Sequence, residues 1–253
     1  MTRVTAGTPT DASVVPMSQE ELVVGDGMAT GLLWKFLELD QSDNSLVDRI
    51  VLSIARDIIE GRIEPGATLD SISLSEQFRT SRTPVREALV TVERHGLIEV
   101  QARRRARVRD LTRNEVEEIY ELRAELHSLL THKAVSRRTE QGLKELESAY
   151  RLMERARVEN DIDAFFWSNI GFHESVASMA QDATLHRVTN GLGLQSLRLR
   201  RKGIAVPGRV DRVLGDHERL VAAFHEGDAD LAAALSRSIV MSALLLLRTS
   251  VRI

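Results

Sequence analysis

Hydrophobic positions along this 253-residue chain change their spacing twice, and each change marks a boundary. From Ser45 onward, Leu46, Ile50, Ile54, Ile58 and Ile59 fall on one helical face until Gly61, with Pro65-Gly66 beyond, which predicts a first helix. A polar start at Asp70-Ser71 then introduces a short second helix carrying Ile72, Leu74 and Phe78. Ser73-Leu74-Ser75-Glu76 offers an alternative capping box for its first turn. Thr80-Ser81 interrupt the pattern, and Ser81 is suited to cap a third helix in which Pro84 takes an early position where a missing N–H costs nothing. Val85, Leu89 and Val92 give that helix a buried stripe, and Gly96 ends it. After Gly96 the period drops to two. Leu97-Ile98-Glu99-Val100 and Ala106-Arg107-Val108-Arg109 read as two short strands around an arginine-rich turn.

Beyond Leu111-Thr112 the helical period returns and stays. It predicts helices over 113–134, 139–159, 161–180, 183–203, 209–226 and 229–250, six amphipathic segments that make an all-α bundle. Ahead of Ser45 the chain is rich in Thr, Ser, Gly and Asp and is expected to be mobile, apart from the apolar island Leu32-Leu33-Trp34-Lys35-Phe36-Leu37. A Trp and a Phe left in water would be unfavourable, so the island predicts a short docked helix. The expected organisation is a flexible extension over 1–44, three helices with a small β-hairpin over 45–110, and an all-helical domain over 111–253. The fold class is mainly α.

Composition supports a full-sized core, with 43% apolar and 28% charged residues. The longest apolar run, Ile239 to Leu247, is broken by Ser242 and falls short of the roughly 20 residues a membrane span needs, so no membrane helix is expected. The N-terminal residues contain no apolar core of a secretory signal. Cysteine is absent, which excludes disulfides, thiolate nucleophiles and sulfur-based zinc sites and suits a cytoplasmic protein. The net charge of −3 taken whole argues against nucleic acid, but its distribution reverses that argument. Between Arg79 and Arg109 lie nine arginines against three acids, a balance of +6, which leaves about −9 for the rest. Such asymmetry separates a nucleic-acid-binding module from an acidic partner module.

Three helices and a hairpin, with a short turn between the second and third helices, form the layout of a winged helix-turn-helix. Arg82 and Arg86 lie four apart beside the buried stripe, so two guanidinium forks project from the first turns of the third helix. They can reach guanine edges or phosphate there, where backbone N–H groups and the helix dipole also favour an anion. Ser81 and Thr83 supply short hydroxyl donors for phosphate. The turn Arg103-Arg104-Arg105 would lie beside the duplex.

Three runs carry a family resemblance: Ile59-Glu60-Gly61-Arg62-Ile63-Glu64-Pro65-Gly66, then Ser81-Arg82-Thr83-Pro84-Val85-Arg86-Glu87-Ala88-Leu89, then His95-Gly96-Leu97-Ile98-Glu99-Val100. Together they resemble the DNA-binding domain of GntR-family bacterial transcription regulators. The resemblance implies DNA contacts from Ser81, Arg82, Thr83, Pro84, Arg86, Arg103, Arg104 and Arg105. Two departures stand out. Arg105 occupies a position before the second wing strand that is usually glycine, where a left-handed turn would strain an arginine. Ile72 stands where the family often has an arginine.

The all-helical remainder is similar to the FadR-type branch, with its FCD effector-binding and dimerisation domain. Members commonly hold a divalent metal through an Asp or Asn, a His four residues on, and two later His. Asn169, His173 and His217 match three of these positions, and Ile239 stands at the fourth. The resemblance therefore implies an incomplete zinc or nickel site, or a metal-free effector pocket lined by these residues. Arg123 matches an arginine that often faces the effector, and its helical neighbours at three and four residues, Ile119, Tyr120, Leu126 and His127, include no acid to pair with it. Arg198, Arg200 and Arg201 crowd one predicted helix, where one of them could neutralise a carboxylate. Trp167, Phe165 and Phe166 read as core.

The expected function is a non-enzymatic, ligand-responsive transcription regulator, read as a repressor. It would be a homodimer on palindromic double-stranded operator DNA, controlled by a small carboxylate metabolite in the helical domain. A metal-dependent enzyme using the His173/His217 cluster is the competing class. It finds no carboxylate dyad, nucleophile elbow or phosphate-cradling loop in the sequence. A nonspecific architectural or RNA-binding protein is a third possibility that the basic segment alone would satisfy.

Overall fold

A computed structural model describes residues 27–40, 45–100 and 105–250. The chain divides into two compact units between Asp110 and Leu111, and each is described by itself.

The first unit contains α1 (Gly27–Phe36), α2 (Leu46–Ile59), β1 (Thr68–Leu69), α3 (Ser71–Gln77), α4 (Arg82–Arg94), β2 (Ile98–Val100) and β3 (Ala106–Val108). Ser45 starts α2 by accepting the Asp48 N–H on its hydroxyl. Ile50, Ile54 and Ile58 of α2 are buried, and α2 packs against α4, which buries Val85, Ala88, Leu89 and Val92. The first turn of α3 is capped by Asp70, whose carboxylate accepts the Ser73 N–H, so the alternative start at Ser73 is not used. Arg79 takes a left-handed conformation, φ 50°, and swings the chain from α3 into α4.

The three strands form one antiparallel sheet in the order β1-β3-β2. The pair β2–β3 is the expected hairpin. The strand β1 is an addition: Thr68 pairs with Arg107 and Leu69 with Ala106. Two residues carry no readable period, so no sequence signal marks it.

Within the stretch expected to be a flexible extension, residues 27–40 are docked. The helix α1 buries Ala29, Leu32, Leu33 and Trp34 and packs on α2, and Leu37 follows them into the core. The Leu37 carbonyl also receives a hydrogen bond from His95 at the end of α4. Residues 1–26 and 41–44 lie outside the described residues.

The second unit is a bundle of α5 (Arg113–Ser136), α6 (Glu140–Val158), α7 (Ile162–Ala180), α8 (Ala183–Ile204), α9 (Arg209–Glu226) and α10 (Ala229–Ser250). Thr112 opens α5 with a complete capping box, its hydroxyl accepting the Glu115 N–H while the Glu115 carboxylate accepts the Thr112 N–H. Thr139, Asp161 and Asp182 cap α6, α7 and α8 in turn. Gly227 ends α9 at φ 78°, against the Arg138 guanidinium, where a Cβ would have neither the dihedral nor the room.

The central helix is α5, which packs on α7, α8 and, along most of its length, α10. By length and composition α10 is apolar enough to cross a membrane. In this fold it is a bundle helix: Arg237 and Arg248 pair with Glu125 and Glu117 of α5 at 2.7 and 2.9 Å. The residues Phe165, Phe166 and Trp167 of α7 are core.

Candidate functional site

Two candidate sites occur, one in each unit. In the first unit, α4 turns its apolar stripe inward and leaves Ser81, Arg82, Thr83 and Arg86 exposed, with Pro84 half-buried. Among the described residues neither Arg82 nor Arg86 enters an ion pair, so both guanidinium groups are available to a ligand. Ser81 holds the cap position with extended backbone, but its hydroxyl makes no capping bond. That oxygen and the first N–H groups of α4 therefore remain open to phosphate.

Val90 continues the same strip one turn beyond Arg86 and is 63% exposed. A sequence search for polar readers passes over it, yet an apolar side chain at this spacing suits a thymine methyl.

The wing differs from the sequence expectation at Arg105. Its Nε lies 3.6 Å from Asp70 Oδ1, so its guanidinium pairs within its own unit. Arg107 is likewise engaged, donating to the Gly66 carbonyl at 2.7 Å. Arg103 and Arg104 lie outside the described residues. Ile72, at the start of α3, is exposed.

In the second unit a cavity opens among α5, α7, α8, α9 and α10. Its volume is about 50 Å³, several times what one water needs. Arg123, Asn169, His173 and His217 all line it, and so do Tyr120, Arg200 and Arg209. Its opposite wall is apolar, formed by Leu199 of α8 and by Ile239, Val240, Ala243 and Leu247 of α10.

A directed chain of hydrogen bonds orders the polar side. His217 Nδ1 donates to the Val213 carbonyl at 2.7 Å, which leaves Nε2 with the lone pair. Asn169 Nδ2 donates to that lone pair at 3.0 Å, and its Oδ1 is left to accept from Arg200 Nη2 at 3.5 Å. His173 Nε2 stands 3.3 Å from His217 Nε2 and can share the same acceptor. His127 meets the His173 ring edge-on with centroids 5.2 Å apart.

Burial decides the charges. It lowers the pKa of His217 to about 4, helped by Arg200 and Arg209. Burial also pushes His127 and His173 well below the usual imidazole range, again with nearby positive charge adding to it. Burial and the neighbouring Arg123 bring Arg200 down to about 9, and burial lowers Arg123 as well. Near neutral pH the imidazoles are therefore uncharged and the guanidinium groups are cationic. No Asp or Glu is among the lining residues.

The metal set implied by the resemblance, Asn169, His173 and His217, meets as a hydrogen-bonded network. The donors do not fit a divalent ion. They comprise two imidazoles and an amide, one imidazole lone pair already accepts a protein N–H, and Ile239 supplies hydrocarbon where a fourth ligand would stand. Two buried guanidinium groups repel a dication, and no lining carboxylate offsets its charge. Among the described residues, no group of three or more His, Asp or Glu is placed to hold a metal ion.

Of the three arginines crowded on α8, Arg200 faces the cavity, while Arg201 pairs with Asp163 at 2.6 Å and Arg198 does not line it. His127 lies four residues on from Arg123 along the same helix face, so their proximity was readable from spacing, but its place against the His173 ring was not. Arg209 was not legible, because it sits at the first position of α9, just after the left-handed Gly208, and its role depends on how α9 packs.

Comparisons with known proteins agree with both units. The family described as bacterial regulatory proteins, gntR family, matches residues 46–108, and the FCD domain matches residues 118–241. The chain is 28% identical over 200 residues to a probable D-xylose utilization operon transcriptional repressor of Paenarthrobacter nicotinovorans, covering 77% of this chain and 87% of that protein. It is 26% identical over 188 residues to the gluconate operon transcriptional repressor of Bacillus subtilis, covering 72% of this chain and 77% of that protein. The solved structure of E. coli McbR/YncC shares the fold with TM-score 0.72 at 22% identity, over 82% of this chain and 99% of the other.

Proposed function

The chain belongs to the GntR family of bacterial regulatory proteins and carries an FCD domain, and from that membership we propose that it is a cytoplasmic, homodimeric repressor whose operator affinity is set by a small carboxylate in the helical unit. The observation that carries the ligand half of this reading is the cavity lined by Arg123 and Arg200 without a lining carboxylate. Buried cations left unpaired are unfavourable, and an anion relieves them. The relatives that repress D-xylose and gluconate operons direct the first trials toward sugars and sugar acids.

The DNA half rests on α4. Arg82 and Arg86 read guanine edges or grip phosphate in a major groove, Ser81 and Thr83 anchor the adjacent backbone, and Val90 adds an apolar contact. Arg103, Arg104 and Arg105 follow the duplex from the wing, with Arg105 released from Asp70 by the competing phosphate charge. A second copy of the chain reads the other half of a palindrome. Leu122 and Leu129, two turns apart on α5 and 50% and 47% exposed, supply an apolar stripe suited to pairing two such units.

The effector alters operator affinity only by as much as it prefers one arrangement of the dimer over the other. The test is a mobility shift on a duplex enriched from random sequence by the wild-type protein, with random duplex as competitor. Replacing Arg82 and Arg86 together with Ala is expected to weaken specific binding by about 100-fold or more while the circular dichroism spectrum stays unchanged. Retained specific binding refutes the assignment of the reading helix. Binding lost equally to random competitor reduces the protein to a nonspecific phosphate binder.

A further inference from the structure

Resting on the ligand-controlled reading above, we propose that the cavity binds its anion directly on the guanidinium groups of Arg123 and Arg200, and that these two side chains replace the divalent metal as the site's source of positive charge. Asn169, His173 and His217 then serve as a neutral, hydrogen-bonding wall.

The geometry argues for this from three directions. Arg123 is 2% exposed, its guanidinium carbon lies 5.1 Å from the centre of the Tyr120 ring, and its buried Nε has no hydrogen-bond partner. A buried donor left open on the rim of a cavity points to a group that fills it. Arg200 donates from Nη2 to Asn169 Oδ1 at 3.5 Å, the outer limit of a hydrogen bond, and a carboxylate or phosphate oxygen would be a shorter and stronger acceptor. Burial and the neighbouring Arg123 charge depress the basicity of Arg200, burial depresses that of Arg123, and no lining Asp or Glu offsets them.

The same arrangement disfavours a metal. The hydrogen-bond direction from Asn169 through His217 to the Val213 carbonyl occupies the lone pair that a metal would need. It also leaves Asn169 Oδ1 pointed at Arg200, which orients the guanidinium. The apolar wall of α10 opposite the arginines suits a ligand with an anionic head on a carbon body.

The proposal makes the arginines a liability in the ligand-free protein. Substituting an apolar side chain of similar length for one of them removes an uncompensated charge, so stability is kept or gained while ligand response is lost. A purely structural arginine would behave in the opposite way.

The experiment is thermal unfolding of the full chain in EDTA at constant ionic strength, with malonate, gluconate or inorganic phosphate as the probe and sodium chloride as the control. At least one probe is expected to raise Tm by about 5 °C or more at roughly a hundredfold excess over its Kd. A carboxylate response without a phosphate response assigns the head group, and the reverse assigns it the other way. Zinc or nickel chloride in EDTA-free buffer is expected to leave Tm unchanged.

Arg123→Met and Arg200→Met are each expected to abolish the anion shift with an unliganded Tm equal to or above wild type, while Arg201→Met, outside the cavity, keeps the shift. The proposal is overturned if EDTA removes the anion shift, if zinc or nickel alone stabilises the protein, if both Met variants keep the shift, or if no anion produces one. In that last case a neutral sugar that still releases the operator leaves ligand control standing and removes only the anion site.

Discussion

Three imidazoles at the centre of the helical unit are held uncharged by burial, and this makes the protein acid-sensitive in a definite direction. His217 titrates at about 4 in the folded chain against 6.5 in the open, so between those values the unfolded state binds more protons. Stability is complete above about pH 6.5 and is lost progressively as pH falls toward about 4, by roughly 3 kcal/mol from this residue alone. His127 and His173 are shifted the same way and steepen the loss. Urea midpoints measured across that range should fall steadily on acidification, and a flat profile down to about pH 5 would contradict neutral burial of the cluster. At this scale the sequence could mark Asn169, His173, His217 and Arg123 through the family resemblance. It could not choose Arg200 over Arg198 and Arg201, because which of three neighbouring side chains meets a cavity depends on how α8 is rotated against its neighbours.

Element boundaries were the most legible feature, since capping residues and a helical apolar period are local properties. The six bundle helices fall within two residues of the spans predicted from spacing at every end. Thr112 shows the local origin of such a boundary: Thr112→Ala removes the capping box of α5 and is expected to cost about 1 kcal/mol, read from the shift in urea midpoint. A change under a few tenths would mean that α5 is held by packing alone. Ser81 is the instructive exception. Its residue type suits a cap, its backbone takes the cap conformation, and its hydroxyl nevertheless stays free. The strand β1 escaped notice because its pairing with β3 comes from the loop around Gly66, where the Gly66 N–H donates to the Val108 carbonyl.

At the scale of the whole molecule, two units with separate cores imply separable effects. Trp34 is buried in the first unit, and Trp34→Ala is expected to destabilise that unit by about 3 kcal/mol, seen as faster amide exchange along α2. The anion response of the helical unit should be unchanged, because the cavity is lined wholly by residues of that unit. Loss of both together would show that the cores are coupled.

The sequence by itself determined where the helices start and stop, which faces they bury, and that a strongly basic segment between Arg79 and Arg109 precedes a charge-balanced bundle, because each follows from local spacing, capping and charge. The tertiary structure alone decided that α1 docks on the head, that Arg105 meets Asp70, and that arginines from α5 and α8 converge on one cavity. Those facts depend on side chains far apart in the chain being brought together by packing, and neither spacing nor composition encodes that distance.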